Sequence, residues 1–199
     1  MLTAECMSTH LSTMRKFAEI LVPVSFEIAE LEAKQSGEAI EIEPNRYVQV
    51  SPSTVETLEL AARLAAGGQI LLVHATPDLT HFGVYGGPQG AWFPVDSAGD
   101  IHRMTKERSM LVLRTLAERH VKGTSVEYYV APGPPTTVIL HAASKHRPDM
   151  IVLAASGRSR IRRAVRGSTA NKVVRRADCP VVVVPSPHDR DRYPIGAKI

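Results

Sequence analysis

The chain has 199 residues, a net charge of +4, two cysteines and an aromatic content of only 5%. A chain of this length is expected to form one domain with a sizeable core. Cys6 and Cys179, with no C-x-x-C pair and no His/Cys cluster, exclude a disulfide framework and a zinc site. The sequence contains no apolar stretch of membrane-spanning length and no recognisable cleavable leader, so we expect a cytoplasmic protein without membrane contact.

The charge is unevenly distributed along the chain. Residues 1–50 carry four Lys/Arg against eight Asp/Glu, whereas residues 150–199 carry eleven Lys/Arg against three Asp. This asymmetry favours an anionic partner for the C-terminal part, although a solvated basic face would give the same pattern. No aromatic side chains interleave with the arginines between residues 158 and 176, so we do not predict a nucleic-acid surface there.

The first part of the chain predicts a tail, a strand and an insertion. Residues 1–16 are polar and mixed, which is typical of an N-terminal tail. Phe17 to Val24 is apolar and predicts a buried strand. Residues 26–50 then form an insertion, in which the spacing from Phe26 to Lys34 predicts a helix. The rest of the insertion predicts a hairpin of two short strands, at residues 40–42 and 47–50, around Pro44-Asn45.

From residue 51 onward, helical and apolar segments alternate regularly. Ser51 caps a predicted helix that ends before Gly67-Gly68. Residues 76–100 are rich in Gly and Pro and are typical of a long surface loop. The predicted helices lie at residues 51–66, at 101–121, after Gly133-Pro134-Pro135, and at 168–176. The predicted strands lie at residues 69–75, 125–131, 150–155 and 181–184, and residues 186–199 form a tail.

This alternation predicts an α/β fold built on a five-stranded parallel, doubly wound sheet. We expect helices on both faces, the insertion after the first strand, and a Rossmann-like or flavodoxin-like strand order. Ligands of such sheets bind outside the carboxyl ends of the strands, where the strand order reverses. His74 lies at one such end, and we expect it to be a hydrogen-bonded structural residue. Cys179 is expected to be a small buried hydrophobe.

The segment from Val152 to Pro185 has the most localised chemistry in the chain. An apolar strand is followed by Gly157, an arginine-rich loop and Gly167-Ser168-Thr169 at the start of a predicted helix. Backbone N–H groups and the helix dipole favour a phosphate at such a position. Ser168 and Thr169 can offer hydroxyls, and Arg158 and Ser159 could add donors. Alternatively, the two glycines only make turns.

The segments, taken in this order, resemble a universal stress protein over residues 17–26 and 51–185. The resemblance is carried by ILVPV, LLVH, APGPPTTVILHAA and DMIVLAASGRSRIRRAVRGSTANKVVRRADCPVVVVP. Nucleotide-binding members carry the motif G-x2-G-x9-G-[S/T]. Gly157 and Gly167-Ser168 match its last three elements, whereas the first glycine of the motif falls on Ala154.

The resemblance implies a protein that binds ATP or AMP in a stress-response or signalling role, and Mg²⁺ could accompany ATP. Val24, Ser25 and the backbone of Leu153 and Ala154 would surround the nucleoside. The phosphates would lie at Gly157, Arg158, Ser159, Gly167, Ser168 and Thr169. Members that hold adenosine usually have an Asp where this chain has Ser25, whose hydroxyl is a weaker acceptor. The resemblance also implies a homodimer that pairs the last strands, here Pro180 to Pro185.

Two other functions remain open. Ser25 and Ala154 favour a protein-interaction module that binds no nucleotide and docks an unidentified protein partner through the acidic insertion, Glu27 to Glu43. A weak ATP hydrolase or nucleotidyl transferase is the other alternative. The sequence offers no Ser/His/Asp or Cys/His arrangement for nucleophilic catalysis, so we predict no catalytic residue, no protein-bound metal and no enzyme.

Overall fold

The computed structural model describes residues 17–29, 39–65, 67–78, 95–155 and 169–185. The elements in chain order are β1 (Glu19–Pro23), β2 (Phe26–Ala29), β3 (Ala39–Glu43), β4 (Arg46–Val50), α1 (Pro52–Ala65), β5 (Gln69–Thr76), α2 (Val95–His120), β6 (Ser125–Pro132), α3 (Pro135–His146), β7 (Met150–Ala154), α4 (Thr169–Val174) and β8 (Val181–Val184). None of the helices in these ranges is long and apolar enough to cross a bilayer.

Five of the strands form the parallel sheet that the sequence predicts, in the order β6-β5-β1-β7-β8. Of the two orders expected, this is the Rossmann one and not the flavodoxin one, because the chain runs outward from β1 to β6 and then crosses back to β7. Strand β1 is central, and Ile20, Leu21 and Val22 are completely buried. Burial on both faces explains why β1, β5 and β7 contain continuous apolar runs without polar alternation.

The core has one cluster on each face of the sheet. Ile20 and Val22 point to the face covered by α1 and α2, where they join Leu58 and Leu113. Leu21 points to the opposite face, where it packs with residues of α3 and α4. Alternate residues of one strand therefore fill both layers, as the pleat requires.

The insertion is a three-stranded antiparallel sheet in the order β2-β4-β3. The predicted hairpin is confirmed, and Asn45 takes a left-handed conformation (φ 62°) in its turn, which suits asparagine. The helix predicted from Phe26 is wrong over its first residues, because Phe26–Ala29 is strand β2 paired with β4. A short apolar run fits either period, and the pairing with β4 decides the outcome. The rest of that prediction, residues 30–38, lies outside the described residues.

Helix α2 is longer than its sequence suggests. It begins at Val95, so residues 95–100 are helical and not part of the predicted loop. Gly99 makes this stretch look like loop, while proline at position 94 is typical of the residue before a helix. The other predicted helices and strands are confirmed to within a few residues. The two predicted tails, 1–16 and 186–199, and residues 79–94 lie outside the described residues.

Two close contacts fix the amino-terminal edge of the sheet. The Asp149 carboxylate, just before β7, accepts the backbone N–H groups of Ala18 at 2.7 Å and Glu19 at 3.1 Å. Gly68, just before β5, lies so near the start of β1 that a Cβ placed on it would be 2.6 Å from the Ala18 carbonyl oxygen. Glycine is required at this position because the backbones approach each other closely.

Candidate functional site

The carboxyl ends of β1 and β7 adjoin at the point where the strand order reverses. Leu21 pairs with Ile151 in a parallel register, so three residues later Val24 and Ala154 reach the same edge of the sheet. Four of the residues implicated by sequence, Val24, Ser25, Leu153 and Ala154, are therefore brought together. This edge is where ligands bind in sheets of this kind.

The side chains of these four residues differ in what they can offer a ligand. Val24 and Leu153 are 3% and 4% exposed, and each packs into one of the two core clusters. Ala154 is half-buried, whereas Ser25 is exposed. The Ser25 hydroxyl is therefore the polar side chain that this group presents to solvent, and the other three can contact a ligand through backbone or apolar atoms.

The backbone at this edge is already hydrogen-bonded within the chain. The Val24 N–H donates to the Val73 carbonyl oxygen at 2.8 Å, and the Ala155 N–H donates to the Val184 carbonyl oxygen at 2.8 Å. The Val24 carbonyl oxygen lies 2.9 Å from Nδ1 of His74. Because a carbonyl can only accept, Nδ1 carries the proton, and Nε2 of the neutral ring remains an acceptor.

His74 is the hydrogen-bonded strand-end histidine that the sequence predicts, but its second contact was not foreseen. The ring of Phe26 stacks on it, with the ring centroids 4.2 Å apart and the planes 13° from parallel. Burial lowers the pKa of His74 from its ordinary value, and the hydrogen bond to Val24 opposes that change only in part. His74 is therefore neutral at pH 7.

The amino end of α1 also reaches this edge. The Ser51 hydroxyl accepts the Thr54 N–H at 3.2 Å, which is the capping bond predicted for Ser51. The Ser53 side chain is 1% exposed, and its hydroxyl lies 3.5 Å from the Ala155 carbonyl oxygen. The sequence indicated only that these serines begin a helix. The structure also places the Ser53 hydroxyl beside the end of β7.

Of the six predicted phosphate-binding residues, Thr169 lies in the described part of the chain. Gly157, Arg158, Ser159, Gly167 and Ser168 lie outside the described residues, and Thr169 is the half-buried first residue of α4. Lys172, Arg175 and Arg176 follow on α4 and its last turn, all exposed. This part of the chain presents positive charge to solvent beside the last strand.

Strand β8 lies at one end of the sheet order, paired with β7. Val184 is buried at 6% exposure, while Val183 is 40% exposed. Val181 and Val182 are half-buried. An apolar edge strand with one exposed valine is the kind of edge that is usually covered or paired.

A cavity of about 460 Å³ lies at the opposite, amino-terminal edge, between the end of α3 and the segment before β8. Its lining includes Arg147, Arg176 and Cys179. Cys179, predicted to be a small buried hydrophobe, packs against the core but is only half-buried. Burial, together with Asp178 and Asp149, raises the pKa of the Cys179 thiol, which keeps it protonated and unreactive.

No three His, Cys, Asp or Glu side chains in the described ranges are grouped so that they could hold a metal ion.

Comparisons with known proteins identify relatives from a single family. A sequence model described as the universal stress protein family matches residues 48–185. The chain is 26% identical over 99 residues to universal stress protein MJ0531 of Methanocaldococcus jannaschii, a match that covers 50% of this chain and 55% of that protein. It is also 26% identical over 86 residues to a universal stress protein A-like protein of Arabidopsis thaliana, with 43% and 49% covered. The chain thus spans about half the length of the curated relatives it matches.

Solved structures support the same fold. Protein MJ0577 superposes with a TM-score of 0.60 at 15% identity, with 85% of this chain and 96% of that chain covered. Universal stress protein UspA from Lactobacillus plantarum superposes with a TM-score of 0.54 at 18% identity, with 85% and 98% covered. At such identities the likeness concerns the fold.

Proposed function

Because the chain belongs to the universal stress protein family, we propose that it binds an adenine nucleotide, ATP or AMP, and acts in stress response or signalling through the occupancy of that site. The family domain would span residues 17–185, with residues 26–50 as an insertion. The observation that carries the proposal is the reversal of strand order between β1 and β7, since the Gly157-x9-Gly167-Ser168 motif follows β7 directly in the sequence.

The chemistry of these residues fits a phosphorylated ligand. Glycines allow backbone N–H groups to approach phosphate oxygens closely, and Arg158 would add a charged donor. The exposed Ser25 hydroxyl can donate to or accept from the ligand at the other side of the edge. If Mg²⁺ accompanies ATP, its ligands would be phosphate oxygens and water, as is usual for this ion.

The test is direct. Purified protein is denatured and the released small molecules are identified by mass spectrometry; ATP and AMP are then titrated calorimetrically into the emptied protein, with and without Mg²⁺. Gly167→Asp should weaken ATP binding about tenfold or more, a loss of about 1.4 kcal/mol, because a carboxylate there repels the phosphates. Gly99→Asp, at an exposed helical position with open space around it, adds the same charge and should leave binding unchanged. Absence of heat with every nucleotide would refute the proposal.

A second candidate function is favoured by two substitutions in the family pattern. Ser25 replaces the usual Asp, and Ala154 replaces the first glycine of the motif. In the described part of the acidic insertion, Glu41 and Glu43 lie on β3, an outer strand of the small sheet. A protein that carries no nucleotide and gives no heat would be assigned this role, a module that docks a protein partner through the insertion.

We also propose a cytoplasmic homodimer joined through Pro180 to Pro185. The exposed Val183 on the edge strand β8 supports it. Val183→Glu should convert a dimer into a monomer in sedimentation velocity, because a buried unpaired carboxylate strongly opposes the interface. Val174→Glu, at a valine on α4 that is 48% exposed, is the matched control and should remain dimeric. A monomeric wild type, or a dimeric Val183→Glu, would contradict this interface.

We expect the nucleotide to be held and not hydrolysed. Among the described groups that could act as a base, Asp149 lies at the opposite edge, bound to the start of β1. Burial lowers the pKa of His74, so its free Nε2 is a weak base. The protein should therefore release no phosphate from ATP beyond the buffer rate, as measured by a coupled phosphate assay. If the wild-type protein releases phosphate from ATP faster than buffer does, and Gly167→Asp abolishes that release, the protein is an ATP hydrolase instead.

A further inference from the structure

The cavity at the amino-terminal edge of the sheet lies between two segments that are distant in the chain. One wall is the end of α3 and the residues after it, within 140–148, and the other is the segment between α4 and β8, within 176–179. Its volume of about 460 Å³ is that of a site for a small molecule. The proposed nucleotide site is at the opposite edge of the sheet, so it does not account for this cavity.

The backbone of the first wall is held on both sides of Arg147. Arg147 ends α3 in a left-handed conformation (φ 49°), and its N–H donates to the Ala143 carbonyl oxygen at 2.8 Å. Pro148 follows and is buried. The Asp149 N–H then donates to the Glu19 carbonyl oxygen of β1 at 2.9 Å. The guanidinium of Arg147 therefore extends from a fixed point beside the sheet.

The backbone of the second wall is held in the same way. The N–H groups of Arg176 and Ala177 donate to the Val173 carbonyl oxygen at 3.0 Å and 2.9 Å. Further along, the Pro180 carbonyl oxygen accepts the Ile151 N–H of β7 at 2.9 Å. The segment that carries Arg176 is thus attached to α4 at one end and to the sheet at the other, and the cavity is part of the folded framework.

The lining of the cavity combines an apolar inner side with two positive charges. Ala143, Ala177 and Cys179 pack against the buried cluster on this face of the sheet, and they form the inner side. Arg147 and Arg176 are exposed, one on each wall. An apolar cavity with a few polar groups that converge on it is the usual form of a small-molecule site.

The two arginines keep donors available for a ligand. Within the described ranges, neither Arg147 nor Arg176 forms a salt bridge, although Asp178 also lines the cavity. The Asp149 carboxylate is bound to the N–H groups at the start of β1. A guanidinium carries five N–H donors and no acceptor, so its complement is a group rich in acceptor oxygens.

A phosphate group fits two arginines on opposite walls better than a carboxylate does. A phosphate monoester presents three terminal oxygens, which two guanidinium groups can approach from different sides. A carboxylate has two oxygens in one plane, and a single bidentate arginine occupies both. The two positive charges also exceed the one negative charge of Asp178, which leaves the lining suited to an anion.

We propose that this cavity is a second ligand site, which binds a small phosphate monoester with an apolar body. Arg147 and Arg176 hold the phosphate oxygens from the two walls, and the apolar inner side contacts the body of the ligand. The site does not depend on the proposed nucleotide site, since the two lie at opposite edges of the sheet and share no residue.

Titration of ¹⁵N-labelled protein with phenyl phosphate, followed by amide NMR signals, tests the proposal. The signals of Ala143, Arg147 and Cys179 should shift and saturate, with a Kd of about 1 mM or tighter. Arg147→Gln and Arg176→Gln should each weaken binding about tenfold, because each removes charged hydrogen bonds to the phosphate. Both side chains are exposed, so the variants should fold.

Arg175→Gln is the matched control. Arg175 precedes Arg176 and is exposed, but its Nε donates to Oδ1 of Asn171 at 3.3 Å and it does not line the cavity. The variant loses the same charge and should bind phenyl phosphate as the wild type does. Phenol, which has the apolar body without the phosphate, should cause no saturable shift.

The location of the shifts separates this site from the nucleotide site. The signals of Val24 and Ala155 report the opposite edge, so shifts confined to them would overturn the inference while the nucleotide site stands. No saturable shift at about 10 mM phenyl phosphate would also overturn it. Benzoate that binds as tightly as phenyl phosphate would refute the choice of phosphate, and an equal loss in Arg175→Gln would show general charge attraction without a site.

Discussion

Gly68→Ala tests how closely the backbones approach at the amino-terminal edge. A Cβ at this position would lie 2.6 Å from the Ala18 carbonyl oxygen and 2.9 Å from the Phe17 carbonyl oxygen, against at least 3.4 Å for ordinary contact. Both obstacles are backbone atoms, so the chain must move by about 0.5 to 0.8 Å, and overpacking of this kind costs about 1–3 kcal/mol. The Gln69 N–H donates to the same Ala18 oxygen at 2.8 Å, and weakening that bond adds about 1 kcal/mol.

We therefore expect the free energy of unfolding to fall by about 3 kcal/mol in Gly68→Ala. Urea unfolding followed by circular dichroism, at one fixed protein concentration, measures it, and the melting temperature should drop by about 6–12 °C. Gly99→Ala is the matched control: it lies in α2 with nothing within 4 Å of a Cβ, and should gain about 0.5–1 kcal/mol. A Gly68→Ala protein within about 0.5 kcal/mol of wild type would refute the reasoning.

Two further predictions concern His74, near the end of β5, and Asp149, just before β7. Burial lowers the pKa of His74, so the unfolded chain takes up its proton at a higher pH than the folded one. Stability should therefore decrease as the pH falls from about 6.5, and His74→Gln should flatten that slope in urea titrations at pH 7 and pH 5; an equal slope in both proteins would contradict this. Asp149→Ala leaves the N–H groups of Ala18 and Glu19 without their acceptor and should cost about 1–2 kcal/mol. One oxygen, Oδ2, accepts both bonds, so Asp149→Asn can keep both with its amide oxygen but loses the negative charge, and its free energy of unfolding should fall by about half as much in the same assay. Equal losses in the two variants would show that these hydrogen bonds are not the cause.

The parts of the fold with local signals were predictable from the sequence. Helix α1 has a serine cap and two glycines after its end, and each central strand is a continuous apolar run between turn residues. The insertion was predicted only in part, since the identity of β2 depends on its pairing with β4, about twenty residues away in the chain. Local spacing around Phe26 cannot report a partner at that distance.

The same reasoning applies to the candidate site. Val24 and Ala154 could be assigned to one edge because parallel strands end together at the point where their order reverses. The contact between Phe26 and His74 could not be assigned, because it depends on the pairing that places β2 beside β4. His74 alone has the sequence signal of an ordinary strand-end residue.

The antiparallel pairing of Phe26 with Val50 means that the chain leaves β1 and returns to α1 at neighbouring points. A segment whose two ends meet in this way can be gained or lost in a single genetic event without changing the path of the surrounding chain, as is observed for domain insertions. A short turn from residue 25 to residue 51 would restore a direct connection between β1 and α1. The insertion thus adds a second, smaller sheet to the fold without changing the path of the chain through the five-stranded sheet.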